Sequence, residues 1–378
     1  MKWFFFITLL CLLFIASCSD YKLDLKEPEN EPPPDLEWTW IPYDSELLQI
    51  SGRGNYEKKD HMVLSWSSST VTVAFVGTAL ELKIWTDALV YLNIFVDGEE
   101  APSSVVQYNY SDTGPSVVPV VSDLPYGSHV VTLYKKTESN LGDWFFYGLR
   151  VLGQAEKDLL PKAKKRKLEF VGNSITCGCD VLVPLLGMEF DPIYEDSYYG
   201  YAGQTAKILE AEAHVICSSG HGLNVNVDGT TEHLLPEVYS KTGTQSPSSI
   251  AWDHNKWHPD AIVINMGTND FVSGMIDSAD FVNSAIDFVQ EIRSYHPKAK
   301  IVLLDGPMLT GENKVKCRRY LDVVKDELKG RGEDDLYRFS FEPRGDSGKG
   351  VYHHPVKEEA FDDAKNLSAW MRSEFGWK

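Results

Sequence analysis

The hydrophobic period of this 378-residue chain changes once, and that change decides what its two parts can fold into. From Trp38 to about Gly153, β-branched and aromatic residues form short alternating runs at 71–76, 80–85, 91–96 and 129–134. Asp97-Gly98, Gly77-Thr78 and Tyr126-Gly127-Ser128 punctuate those runs as turns. No helical period interrupts them. Regularly spaced short strands predict an N-terminal β-sandwich of the jelly-roll kind over residues 38–155.

After the basic tract Lys164-Lys165-Arg166-Lys167, read as a solvated interdomain segment, the period lengthens. Buried-strand runs at 168–171, 214–217, 261–266 and 300–304 alternate with apolar residues at helical spacing. The helical faces are Tyr201, Thr205, Ile208 and Leu209; then Phe281, Ala285, Phe288, Val289 and Ile292. Two more follow, Leu321, Val324 and Leu328, then Phe361, Ala364, Leu367 and Met371. Residues 165–378 are therefore expected to be a three-layer α/β domain with a parallel sheet covered on both faces. In such a domain, chemistry collects at the carboxyl ends of the strands.

Residues 1–17, with one lysine ahead of an apolar run from Trp3 to Ala16, read as an export signal. The run ends Ile15-Ala16-Ser17-Cys18, which resembles the lipobox of bacterial lipoproteins, with Cys18 as the lipidated residue. The proline-rich acidic stretch that completes residues 18–37 reads as a flexible tether, and resembles surface-export signals of Bacteroidetes lipoproteins. That address implies a lipid anchor in the outer membrane, facing the outside of the cell. Lys and Arg number 36 against 55 Asp and Glu, a net charge of −19 with no basic stripe. Such a field excludes a phosphate-tracking nucleic-acid binder.

Besides Cys11 and Cys18, the chain has Cys177, Cys179, Cys217 and Cys317. An oxidising compartment allows a disulfide among them, and spacing does not assign it. Cys177-Gly178-Cys179 lacks the two-residue gap of a zinc or redox pair, and His254 with His258 reads as surface, so no metal is expected.

Four blocks carry small and polar residues that a sheet core does not need. They are Gly172-Asn173-Ser174-Ile175-Thr176, Ser218-Ser219-Gly220-His221-Gly222, Gly267-Thr268-Asn269-Asp270 and the late His353-His354-Pro355. Acyl transfer requires a hydroxyl nucleophile, a base of near-neutral pKa and donors aimed at a developing oxyanion. Ser174 supplies the hydroxyl and His354 the base. The N–H groups of Ser174 and Gly220 and the carboxamide of Asn269 would form the oxyanion hole.

These blocks resemble those of SGNH (GDSL-type) hydrolases. The longer stretches 170–178, 263–271 and 305–309 are similar to carbohydrate esterase family 2, which joins a jelly roll to an SGNH domain. The resemblance implies deacetylation of O-acetylated plant polysaccharides such as xylan or glucomannan, with no cofactor. It departs from the family pattern at two places. Asn173 stands where the first block has Asp, and Tyr352 and Val351 occupy the places of the acid that precedes the catalytic histidine. The expectation is accordingly a Ser–His dyad whose imidazole is held by a backbone carbonyl, with Asp346 or another distant acid as the alternative. Asn173, His221 and Trp257 are candidates for substrate contact, with Trp252 a further aromatic beside the third strand. A glycan-binding lipoprotein with a decayed esterase site, and a lipase or thioesterase, are the competing functions.

Overall fold

Alternation leaves one side of each N-terminal strand apolar, and the strands pair so as to bury that side. In a computed structural model of the chain, which describes residues 35–184, 188–244, 247–274, 277–344 and 348–378, ten antiparallel strands form this part. They are β1 (Trp38–Pro42), β2 (Leu48–Ser51), β3 (Gly54–Asn55), β4 (Met62–Leu64), β5 (Thr70–Thr86), β6 (Leu89–Val96), β7 (Ser104–Asn109), β8 (Ser116–Val121), β9 (Gly127–Lys135) and β10 (Trp144–Ala155). The expected signal segment, Cys18 and nearly all of the tether lie outside the described residues. No helix among the described residues is long and apolar enough to cross a membrane.

Gly77-Thr78 is not a turn. The two runs flanking it are one 17-residue strand, β5, which pairs β2 and β9 before Gly77 and β8 after it. A Cβ on Gly77 would lie 2.2 Å from the Leu152 carbonyl oxygen. The glycine therefore serves a close backbone approach to β10, at a shift in the ladder, rather than a reversal. Asp97-Gly98 is a turn as expected, with positive φ at both residues. Phe75, Leu82, Ile84, Leu92, Leu133, Trp144 and Phe146 are fully buried between the layers.

The second part holds five parallel strands, β11 (Arg166–Gly172), β12 (Ala211–Cys217), β13 (Ala261–Asn265), β14 (Lys300–Asp305) and β15 (Leu336–Ser340), in the order β12-β11-β13-β14-β15. The last strand escaped the sequence reading because four of its five residues are only half-buried, at the sheet edge. The helices are α1 (Ser174–Cys177), α2 (Tyr201–Ile208), α3 (Leu235–Tyr239), α4 (Thr268–Val272), α5 (Ser278–Tyr295), α6 (Gly311–Gly330) and α7 (Lys357–Phe375). Ile262, Ile264, Ile301 and Leu303 face α5 and α6, while Val263, Val302 and Leu304 face α2 and α7. Period two in the strands thus supplies both cores. Phe361 does not join the α7 face: it is 42% exposed, and the packed positions are Ala360, Ala364, Leu367 and Met371.

Residues 36–378 make one compact unit, and polar side chains lock its two parts together. Arg53 is wholly buried and meets Glu169 at 2.8 Å, while Tyr239 donates to the other oxygen of that carboxylate at 2.7 Å. Asn93 donates to Asp196 at 3.0 Å, and the Ser197 N–H donates to the Lys136 carbonyl at 3.1 Å.

Candidate active site

Strand order reverses direction at β11, so the loops after β11 and β13 diverge and leave a crevice at their carboxyl ends. Ser174 stands there as the first residue of α1. The side chain of Asn173 caps that helix by accepting from the Ile175 N–H at 3.2 Å. Cys177, at the end of α1, is disulfide-bonded to Cys217, at the end of β12. The bond closes a loop with a sequence separation of 40, for which chain entropy gives about 4 kcal/mol. Reduction is expected to lower the melting temperature by several degrees, read by calorimetry with and without a phosphine reductant.

His354 lies on the loop entering α7, and its Nε2 is 2.8 Å from Ser174 Oγ. Its Nδ1 is 3.2 Å from Asp180 Oδ2. A distant acid, the alternative to a dyad held by a backbone carbonyl, is thus at hand: the Asp180 carboxylate is fully buried beside the imidazole. Asp180 comes from the turn after α1, six residues past the nucleophile rather than two or three before the histidine. Gly178 ends α1 in the left-handed region, and Asp180 follows at φ 58°, which turns its side chain back under His354. Asp346, the alternative acid, lies outside the described residues.

Gly220 and Asn269 line the same cavity as Ser174 and His354, a space of about 830 Å³. The Gly220 carbonyl accepts from the Val227 N–H at 2.8 Å, which fixes that peptide. Asn269 donates one amide hydrogen to the His221 carbonyl at 2.7 Å, leaving its second for a ligand. Asp270 holds the 223–225 backbone from beneath, accepting from Leu223 at 3.0 Å, Asn224 at 2.7 Å and Val225 at 3.3 Å. Burial raises its pKa, against those three donors. Asn269→Ala is expected to lower kcat by roughly 10²–10³-fold with KM little changed, the usual loss for one oxyanion donor.

The sandwich also reaches this site, which the sequence reading left undecided. Glu138 accepts from the Ser219 N–H at 2.7 Å, and Asn140 donates to Ser218 Oγ at 2.8 Å. Glu138, Asn140 and Leu141 form part of the cavity wall. Behind them the Glu138 N–H donates to Glu195 at 2.5 Å. Burial, then the Glu138 charge, raises the Glu195 carboxyl well above its ordinary range.

Comparison with known proteins assigns this arrangement to a family. The carbohydrate esterase 2 N-terminal model matches residues 50–161, and the GDSL-like lipase/acylhydrolase model matches residues 170–338. The chain is 30% identical over 326 residues to an acetylxylan esterase / glucomannan deacetylase of Cellvibrio japonicus, covering 82% of this chain and 86% of that protein. The chain belongs to carbohydrate esterase family 2. It is also 32% identical over 335 residues to the cellulase/esterase CelE of Acetivibrio thermocellus, covering 88% of this chain but only 40% of that protein. A family two carbohydrate esterase from Clostridium thermocellum, solved with cellohexaose, superposes with a TM-score of 0.82 at 32% identity, covering 88% of this chain and all of that one. The expected fold, a jelly roll joined to an SGNH-type α/β domain, agrees with these relatives.

Within this family 2 chain, three candidates for substrate contact stand elsewhere than expected. Trp257 precedes β13, so it sits at the amino-end edge of the sheet, opposite the crevice. It stacks on His214 at 3.7 Å and donates to Glu212 at 2.9 Å. Trp252 lies near it, over Arg53. Asn173 spends its side chain on the helix cap, and His221 turns its ring to Ser218 at 2.8 Å, so neither lines the cavity. The aromatics at the cavity are Phe190 and Tyr352, 39% and 74% exposed, and His353 lines it as well.

His254 is not a surface residue: it is buried, stacked on Tyr295 at 3.9 Å, with Nδ1 3.2 Å from His296 Nε2. Burial, then the Arg53 charge, depresses its pKa to about 3. Among the described residues, the one group able to ligate an ion is Cys179, Asp180 and His354, with donor atoms within 4.8 Å of one another. Burial raises the Cys179 thiol well above its ordinary range, which opposes ligation as a thiolate.

Proposed function

We propose that the chain removes O-acetyl groups from plant polysaccharides of the acetylated xylan or glucomannan type. The observation that carries this reading is the line Ser174–His354–Asp180 opening into a cavity that Gly220 and Asn269 also line. Ser174 Oγ attacks the acetyl carbonyl carbon as its proton passes to His354 Nε2. The carbonyl oxygen becomes an oxyanion facing the Ser174 and Gly220 N–H groups and the Asn269 amide. His354 returns the proton to the departing sugar hydroxyl, leaving an acetyl-serine. Water, deprotonated by the same imidazole, then attacks the acetyl carbon, and Ser174 Oγ departs with that proton as acetate is released. Asp180 fixes the tautomer with the proton on Nδ1 and stabilises the imidazolium.

The likeness to the Cellvibrio acetylxylan esterase / glucomannan deacetylase supports both the acetyl group and the glycan. The alternative of a decayed site rests on a missing acid, and the Asp180 carboxylate 3.2 Å from His354 Nδ1 supports the working site instead. The test is acetate release from acetylated xylan and acetylated glucomannan, beside 4-nitrophenyl esters of two to sixteen carbons. Acetate from either polymer, with aryl esters slowing as the chain lengthens, is the expected result. Preference for the long esters with no acetate from polymer would replace this reading with a lipase.

For the address, the proposal is a lipoprotein anchored through Cys18 in the outer membrane, with residues 19–36 spanning from lipid to fold. Labelled palmitate should enter the wild-type protein in cells and not Cys18→Ala, and equal labelling of both would refute the anchor.

A further inference from the structure

The outer face of the sandwich carries aromatic rings that the ester chemistry does not use. Trp38 and Trp40 on β1 are 40% and 45% exposed. Trp40 is paired with Arg150 of β10, and β10 runs beside β5, which brings Lys83 to the same face. The β10–β5 ladder slips between Phe146 and Gly148, making Tyr147 the extra residue of a bulge. Such a bulge re-aims a side chain. Tyr147 accordingly joins Trp40 in lining one groove.

The local construction is specific. A Cβ on Gly148 would lie 2.8 Å from Trp40 Cζ2, so glycine lets the indole rest against β10. Lys83 Nζ is 5.9 Å from the Trp40 ring centre and 5.6 Å from that of Tyr147, a cation set between two rings. The groove has a volume of about 400 Å³ and is lined also by Asp44 and Asp60, one oxygen of Asp60 being 2.9 Å from His61 Nδ1. It shares no lining residue with the Ser174 cavity.

We infer that this groove is a second saccharide-binding site, which takes the main chain of a neutral polysaccharide. A pyranose has an apolar C–H face that lies on a ring and a rim of hydroxyls that donate to carboxylates. Trp40 and Tyr147 offer the first contact, and Asp44 and Asp60 accept the second. A protein partner would call for a centre depleted of lysine and carboxylates, with charge only at the edge; here a lysine lies between the rings. The inference rests on the reading of the Ser174 site as a glycan esterase. Two sites on one polymer raise the effective concentration of acetylated residues at the nucleophile.

The test compares the full chain with a W40A/Y147A variant in native gels cast with soluble, chemically deacetylated xylan or glucomannan. 4-Nitrophenyl acetate turnover is measured on the same samples. Retardation of the wild type, at least tenfold weaker in the variant and with aryl acetate turnover unchanged, is expected. Equal retardation of both proteins, or retardation of neither, overturns the site. If the double variant unfolds, Trp40→Ala alone decides by the same comparison. Turnover of the aryl ester depends on Ser174 and not on this groove. Its absence from the wild type would therefore defeat the esterase reading while the gel still judged the groove.

Discussion

A Ser174→Ala protein is expected to keep its fold and its glycan affinity and to lose roughly 10⁴-fold or more in kcat. The change removes the hydroxyl 2.8 Å from His354 Nε2 and leaves the Asn173 cap of α1 in place. Ser174 is 7% exposed, so removal of one oxygen opens little space in the core. Residual hydrolysis would come from the Gly220 and Asn269 donors acting on a water molecule. The measurement is acetate release under saturating acetylated glucomannan, with binding followed separately. A variant retaining a tenth of the activity would place the nucleophile elsewhere.

The second large effect belongs to Asp180. An Asp180→Asn protein is expected to lose about 10⁴-fold in kcat, since a carboxamide facing Nδ1 no longer enforces the tautomer that leaves Nε2 free to accept. A dyad held by a backbone carbonyl would lose little, so the size of the loss separates the two designs. Near-wild-type activity would assign Asp180 a structural role.

The change of period near residue 160 was enough to separate sandwich from α/β domain, because burial imposes a period of two on strands and about 3.6 on helices. Ser174, Gly220, Asn269 and His354 were legible for a related reason: small and polar residues directly after buried strands have no packing role there. Asp180 was not legible. Its place under His354 depends on the turn that Gly178 starts, and nothing in the local sequence marks which distant side chain that turn will face. Trp257 failed in an instructive way. A residue just ahead of a parallel strand belongs to the edge opposite the crevice. Glu138 and Asn140 needed the contact between the two parts, which no periodicity encodes.

That contact has a consequence for how such chains can be rearranged. The hydrogen bonds from Glu138 and Asn140 steady the very loop that bears Gly220. Excising the hydrolase half, or splicing it to a foreign β-module, would strip a supporting hand from the reaction centre. Recombination that preserves turnover must carry both halves as a single inherited piece, and engineering by module exchange should cut ahead of residue 36 rather than between them.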